Sequence, residues 1–233
     1  MRTIMVLNAK GGSGKTTLTT NIAGYYASED KNTVIKDYDS QASSMDWLEQ
    51  RSSALEDIYG LAAYKPASSH TTSVFAMRLP QNTERVIVDT PAGVDLNRLI
   101  GVFKTVDKIV IPVSASAIEI RATAKFIHQL QQFMKLHPLK ADIGIVANRV
   151  DIESDAYHSM KTIFNNIDLD FVASLSYHDN YAKSAESGSS VFELDHPDVA
   201  IHKFEWASLM NWLEDKVVVK KNVEEPKLYA VVD

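Results

Sequence analysis

Close behind its first apolar run the chain reads "NAKGGSGKTT", and no other stretch restricts the fold as strongly. Gly11, Gly12 and Gly14 free the backbone to turn as the apolar run ends, while Lys15, Thr16 and Thr17 open a segment with a helical pattern. Backbone freed of side chains can turn successive N–H groups inward, and the helix behind it aims its positive end the same way. Strand, loop and helix together form a cradle for phosphate oxygens. The spacing is that of the phosphate loop, G-x-x-x-x-G-K-[ST], with Ala9 where the first glycine stands and Lys10, Gly11, Gly12 and Ser13 filling the middle. Lys15 is placed to neutralise the β- and γ-phosphates of a nucleotide, the Thr16 hydroxyl to ligate Mg²⁺, and Thr17 to touch the α-phosphate. A second lysine ahead of the glycines, Lys10, has no task in that scheme.

Apolar β-branched runs alternate with helical patterns along most of the chain. Strands are predicted over Thr3–Asn8, Thr33–Asp37, Arg85–Asp89, Lys108–Val113, Asp142–Asn148 and Asp170–Leu175. Helices are predicted over Lys15–Ser28, Ser44–Arg51, Leu96–Lys104, Ala117–Leu136, Asp155–Asn165, Tyr177–Glu186 and Asp198–Asp215. Ile120, Ala124, Ile127, Leu130 and Met134 share one face of the fourth, at the 3.6-residue period. The stretch Ile58–Gln81 reads as one further strand ("IYGLAAY") and a helix. Short strands separated by helices imply an α/β fold, a single P-loop NTPase domain with a mostly parallel twisted sheet and helices on both faces. That domain is expected over residues 1–215, with 216–233 as a peripheral C-terminal tail.

Two acidic sites follow in order. The second strand ends in "VIKDYDSQASS", and Asp37 and Asp39, at i and i+2, point toward the same edge. Another apolar strand ends in Asp89 ("RVIVDTPAGVD"), the Walker B pattern for a carboxylate that holds Mg²⁺ through water. A later one, "GIVANRV", ends in Asn148-Arg149.

"KGGSGKTT" resembles the deviant Walker A box of the ParA/MinD ATPases, and the match continues through Asp37, Asp39, Gln41, Ala42 and Ser43, Asp89 and Asn148 to about Leu194. The resemblance implies that Lys10 reaches across a dimer interface to the partner's nucleotide, which gives the surplus lysine its task. It implies that Asp39 orients or activates the attacking water, that Asp37 supports the magnesium network, and that Asn148, with Arg149, recognises adenine. Two positions depart from the family pattern: Ser40 replaces a proline, and Lys36 stands where an apolar residue is usual. Lys36 reads either as an edge-exposed lysine or as the partner of a nearby carboxylate.

Composition narrows the choice among relatives. The chain of 233 residues has no cysteine, which excludes thiolate metal sites and the cluster of nitrogenase iron protein. No apolar stretch approaches the ~20 residues of a membrane span, and the tail, broken by Pro226, does not resemble the amphipathic membrane helix of MinD-type proteins. What the resemblance then implies is a short ParA-type ATPase: cytoplasmic, nucleoid-associated, using ATP and Mg²⁺. It would form a homodimer on ATP binding, bind DNA non-specifically, and hydrolyse ATP slowly until stimulated by a ParB-like partner that couples it to a cargo. With a net charge of −6, DNA contacts would have to come from local patches: Arg121, Lys125 and Lys135 on one helix, and Lys203, Lys216, Lys220 and Lys221 near the end. The alternatives are a small-molecule ligase of dethiobiotin-synthetase type, which fold analogy permits, and a scaffold that binds ATP and barely hydrolyses it.

Overall fold

The computed structural model describes residues 1–65, 78–167, 169–197 and 199–216. The first apolar run forms β1 (Arg2–Val6), and α1 (Lys15–Ser28) follows the glycine loop. Next come β2 (Thr33–Asp37), α2 (Ser43–Glu49) and β3 (Ile58–Ala62). Strand β4 (Arg85–Asp89) leads through a 3₁₀ turn (Leu96–Leu99) into the short α3 (Ile100–Phe103). The rest alternates: β5 (Lys108–Val113), α4 (Ala117–Leu136), β6 (Asp142–Asn148), α5 (Asp155–Asn165), β7 (Asp170–Leu175), α6 (Asn180–Glu186) and α7 (Val199–Leu213).

The seven strands form one sheet in the order β3-β2-β4-β1-β5-β6-β7, with every pairing parallel. Parallel strands must be covered on both faces, and here they are. Met5, Val88, Ile109 and Ile145 point to the side where Phe103, Ile127, Leu130, Met160 and Phe164 pack from α3, α4 and α5. Ile4, Val6, Ile35 and Ile87 point the other way, against Leu18 and Ile22 of α1, Trp47 of α2, and Trp206, Leu209 and Leu213 of α7. Chain connections lead from β1 toward the β3 edge, then from β4 across β1 toward β7. The carboxyl end of β1, which carries the glycine loop, therefore lies where the winding reverses, the place where open α/β sheets bind ligands.

Element boundaries shift where side chains intervene. The helix expected over Leu96–Lys104 is a 3₁₀ turn plus α3, because the Asp95 carboxylate accepts from the Asn97 N–H at 3.0 Å and tightens the first turn. The helix expected from Tyr177 starts at Asn180, whose N–H donates to His178 Nδ1 at 3.1 Å. The expected extra strand is β3, and the helix expected after it falls mainly on 66–77, outside the described residues. Lys36 is not at an edge: β2 is flanked by β3 and β4, and Lys36 is half-buried in register with Val88 and Leu61. Nor does it pair with a carboxylate among the described residues, and burial holds its pKa below the usual lysine value.

Candidate functional site

The glycine loop is rooted by polar groups just past the ends of β1 and β4. Asn8 donates to the Pro112 carbonyl at 2.7 Å and to Thr123 Oγ1 at 3.1 Å, and Thr90 donates to the Val6 carbonyl at 2.8 Å. Gly12 and Gly14 turn through φ 78° and 91°, in the left-handed region. A side chain at Gly14 is excluded twice over, since a Cβ there would lie 2.0 Å from Asn148 Nδ2. That amide donates to the Ser13 carbonyl at 2.9 Å, so Asn148, at the end of β6, braces the loop from below. Lys15, buried at the start of α1, donates from Nζ to the Lys10 carbonyl at 3.0 Å. Burial lowers its pKa, and the Asp89 and Asp39 carboxylates oppose that shift. Lys10 is half-buried and its ammonium forms no ion pair among the described residues.

Asp37 and Asp89 end adjacent strands and are register partners across β2 and β4. Both are buried, at 0% and 1% exposure. Neither oxygen of Asp89 has a hydrogen-bond partner. Burial first, and then the Asp37 carboxylate, push Asp89 up to about 7, while the nearby Thr16 hydroxyl, outside hydrogen-bond geometry, and Lys15 offset part of the rise. Asp37 is also raised by burial, and hydrogen bonds from Ser44 and the Asp39 N–H work against that. Asp39 is more exposed and accepts from the Gln41 N–H at 3.0 Å.

A buried carboxylate with no partner calls for a cation. Thr16, Asp37 and Asp89 offer only hard oxygen donors, the set Mg²⁺ prefers, and two carboxylates and a hydroxyl leave positions for phosphate oxygens and water. No cluster of three or more His, Cys, Asp or Glu able to hold a metal occurs among the described residues. The residues present therefore fit a magnesium ion shared with a nucleotide better than one caged by protein alone.

Beside the loop, a cavity of about 410 Å³ is lined by Thr17, Asn148, Arg149, Tyr177, His178 and Tyr181. Its size and aromatic wall suit a nucleobase. Arg149 sits at its rim, exposed, at φ 56°.

A model of the CobQ/CobB/MinD/ParA nucleotide-binding domain matches residues 4–191, most of the chain and all of the site. The chain belongs to this family. Within it, the maintenance of carboxysome distribution protein A of Halothiobacillus neapolitanus is 28% identical over 196 residues, covering 82% of this chain and 87% of that protein. Among solved structures, an ATP complex of a variant of McdA from Cyanothece superposes with TM-score 0.67 at 18% identity, over 90% of this chain and 96% of that one. The MinD cell division protein of Aquifex aeolicus gives TM-score 0.67 at 19% identity, over 91% and 97%. These likenesses establish the ParA/MinD fold and a nucleotide-binding domain.

On that fold, the loop residues, Asp37, Asp39, Asp89 and Asn148 converge at one end of the sheet. The basic candidates do not. Arg121, Lys125 and Lys135 are exposed on α4, Lys203 and Lys216 are exposed on and beyond α7, and Lys220 and Lys221 lie outside the described residues. Sequence reasoning missed Asn8, Ser44 and Thr90 as supports of the site. Asn8 and Thr90 carried a faint signal, as polar residues ending apolar strands; Ser44 carried none. No helix among the described residues is long and apolar enough to cross a membrane.

Proposed function

We propose that the chain is an ATP-switched positioning ATPase. The observation that carries this reading is the unpartnered, buried Asp89 carboxylate beside Thr16 and Lys15, at the mouth of a glycine loop in a ParA/MinD domain. In this reading the N–H groups of Gly11–Gly14 and the start of α1 bind the phosphates, and Lys15 neutralises the charge that builds on the leaving oxygens. Thr16, Asp37 and Asp89 hold Mg²⁺, which when bound draws charge off the β- and γ-phosphates. Asp39 orients the attacking water in line with the bond to be broken, and the cavity at Arg149 takes the base. Lys10 of each protomer serves the nucleotide of the other, so occupancy of the two sites and dimerisation are one event. The domain doing this work ends at Asp215, whose carboxylate pairs with Arg2 and Lys108 at the opposite end of the sheet.

ATP-bound dimers would hold non-specific DNA through exposed lysines and arginines, and a partner protein would trigger hydrolysis and release. The name of the Halothiobacillus neapolitanus relative points to a carboxysome-type protein assembly as the cargo. Light scattering with ATP and Mg²⁺ tests the switch. Wild type should move from monomer to dimer, Asp39→Ala should stay dimeric, and Lys10→Ala should bind nucleotide without dimerising. With ATP and Mg²⁺ present throughout, the wild-type and Asp39→Ala dimers should retain plasmid DNA through a sizing column, and Lys10→Ala should not. A wild type that stays monomeric at saturating ATP would overturn the reading.

A further inference from the structure

The interior of the molecule gives Asp37 a support that the glycine loop does not need. Asp37 and Asp89 face each other across β2 and β4 with both carboxylates buried. Like charges this close turn away from one another unless something fixes them. Asp89 has no partner, whereas Asp37 is held at both oxygens: Oδ1 by the Asp39 N–H at 2.8 Å and Oδ2 by the Ser44 hydroxyl at 2.7 Å. Ser44 is fully buried, so its hydroxyl has no role in solvation.

Ser44 lies in the first turn of α2, a helix of seven residues entered through Ala42 at φ 58° with no side-chain cap. So short a helix does not hold its place unaided. Its far end is clamped instead. Arg51 makes a two-point pair with Glu193, at 2.5 and 3.1 Å, with both side chains nearly buried, and also donates to the Gly188 carbonyl at 3.1 Å. Trp47 Nε1 donates to the Ser189 carbonyl at 3.2 Å. The 188–193 turn is tied in its own right to α1, because the Val191 N–H donates to Asn21 Oδ1 at 2.8 Å and Asn21 donates to the Thr17 carbonyl at 2.8 Å. A continuous set of buried contacts thus runs from the helix that carries Lys15 and Thr16, through the turn and α2, to Asp37.

We propose that Ser44 is a positioning residue that aims the Asp37 carboxylate at the metal, and that the Arg51–Glu193 clamp keeps it in register with Thr16. This rests on the assignment of Asp37 to a magnesium site and names the residue that sets its geometry. Partners of metal-binding groups carry about 10–100-fold in metal affinity. Main-chain N–H groups still reach Asp37 once Ser44 is removed, so the lower figure applies.

The test is titration of a fluorescent ADP analogue onto the full chain, with and without Mg²⁺. Ser44→Ala should bind the analogue as wild type does in EDTA, and should require about tenfold more Mg²⁺ for the metal-linked gain in affinity. Ser44→Thr, which keeps the hydroxyl, should fall within about twofold of wild type in Mg²⁺ requirement. Asp37→Asn runs alongside. If Asp37→Asn loses the Mg²⁺ linkage while Ser44→Ala keeps that of wild type, Ser44 has no positioning role. If Asp37→Asn itself keeps the linkage, the magnesium assignment fails and takes the proposal with it. A Ser44→Ala protein weakened equally in EDTA would show a general support of the fold, and that result also overturns it.

Discussion

Ionising Asp89 costs the folded chain more than the unfolded one, because its carboxylate gives up water without gaining a partner and sits against Asp37. Its folded pKa, about 7, lies above the unfolded value near 3.9, so its contribution to stability is whole below pH 4 and is lost as pH rises through 7. In EDTA and without nucleotide, Asp89→Asn should therefore melt at higher temperature than wild type at pH 7.5. The difference, about 2–4 kcal/mol, should close toward pH 4, as calorimetry across that range would record. The same variant should lose Mg²⁺-linked nucleotide affinity. At Gly14 the argument is steric. A Gly14→Ala chain must move either its loop or Asn148, and should lose tenfold or more in ATP affinity. Asn148→Ala separates two roles for that amide. With its N–H₂ committed to the Ser13 carbonyl, it should weaken ATP and base-free triphosphate by the same factor in isothermal titration. A loss confined to ATP would mark adenine recognition.

Among the elements, α2 departs furthest from what its sequence alone supports. Seven residues with no side-chain cap amount to little helix, and its place is set by the buried Arg51–Glu193 pair and by Gly188, where a Cβ would lie 2.3 Å from the Arg51 backbone nitrogen. Removing one member of such a pair strands the other charge, so Arg51→Met should cost about 3–5 kcal/mol in urea denaturation. Replacing both, with Arg51→Met and Glu193→Leu, should recover much of that loss, because nothing charged is then left buried. Helix α4 is the opposite case. Its apolar stripe was visible at helical spacing, and Ile120, Ile127 and Leu130 are buried along it as that spacing requires. The 3₁₀ turn before α3 and the late start of α6 were not visible, because single hydrogen bonds at Asp95 and His178 decide them.

Taken whole, the molecule is polar in its arrangement, with the glycine loop, Asp37 and Asp89 at the carboxyl ends of the strands and an ion-pair cluster of Arg2, Lys108, Asp142 and Asp215 at the other. Arg121 and Lys125 are exposed on the outer side of α4, which gives the DNA reading a surface to test. Arg121→Glu with Lys125→Glu should weaken DNA retention by the ATP-bound dimer. In binding isotherms at several salt concentrations it should also lower the slope by about one unit for each phosphate contact removed. Taken alone, the sequence determined the alternation of strands and helices, the parallel sheet, the loop with its two lysines, and the order of Asp37, Asp39 and Asp89. Each of these is written in local pattern, through side-chain period, glycine freedom or a strand that ends in a carboxylate. The tertiary structure alone decided that Asp37 and Asp89 stand side by side with one tethered and one unpartnered. It likewise decided that Asn148 braces the loop across more than a hundred residues of chain, and that Arg51 and Glu193 pair with their side chains nearly buried. These are contacts between residues distant in sequence, and their energy comes from shared burial, which no local pattern records.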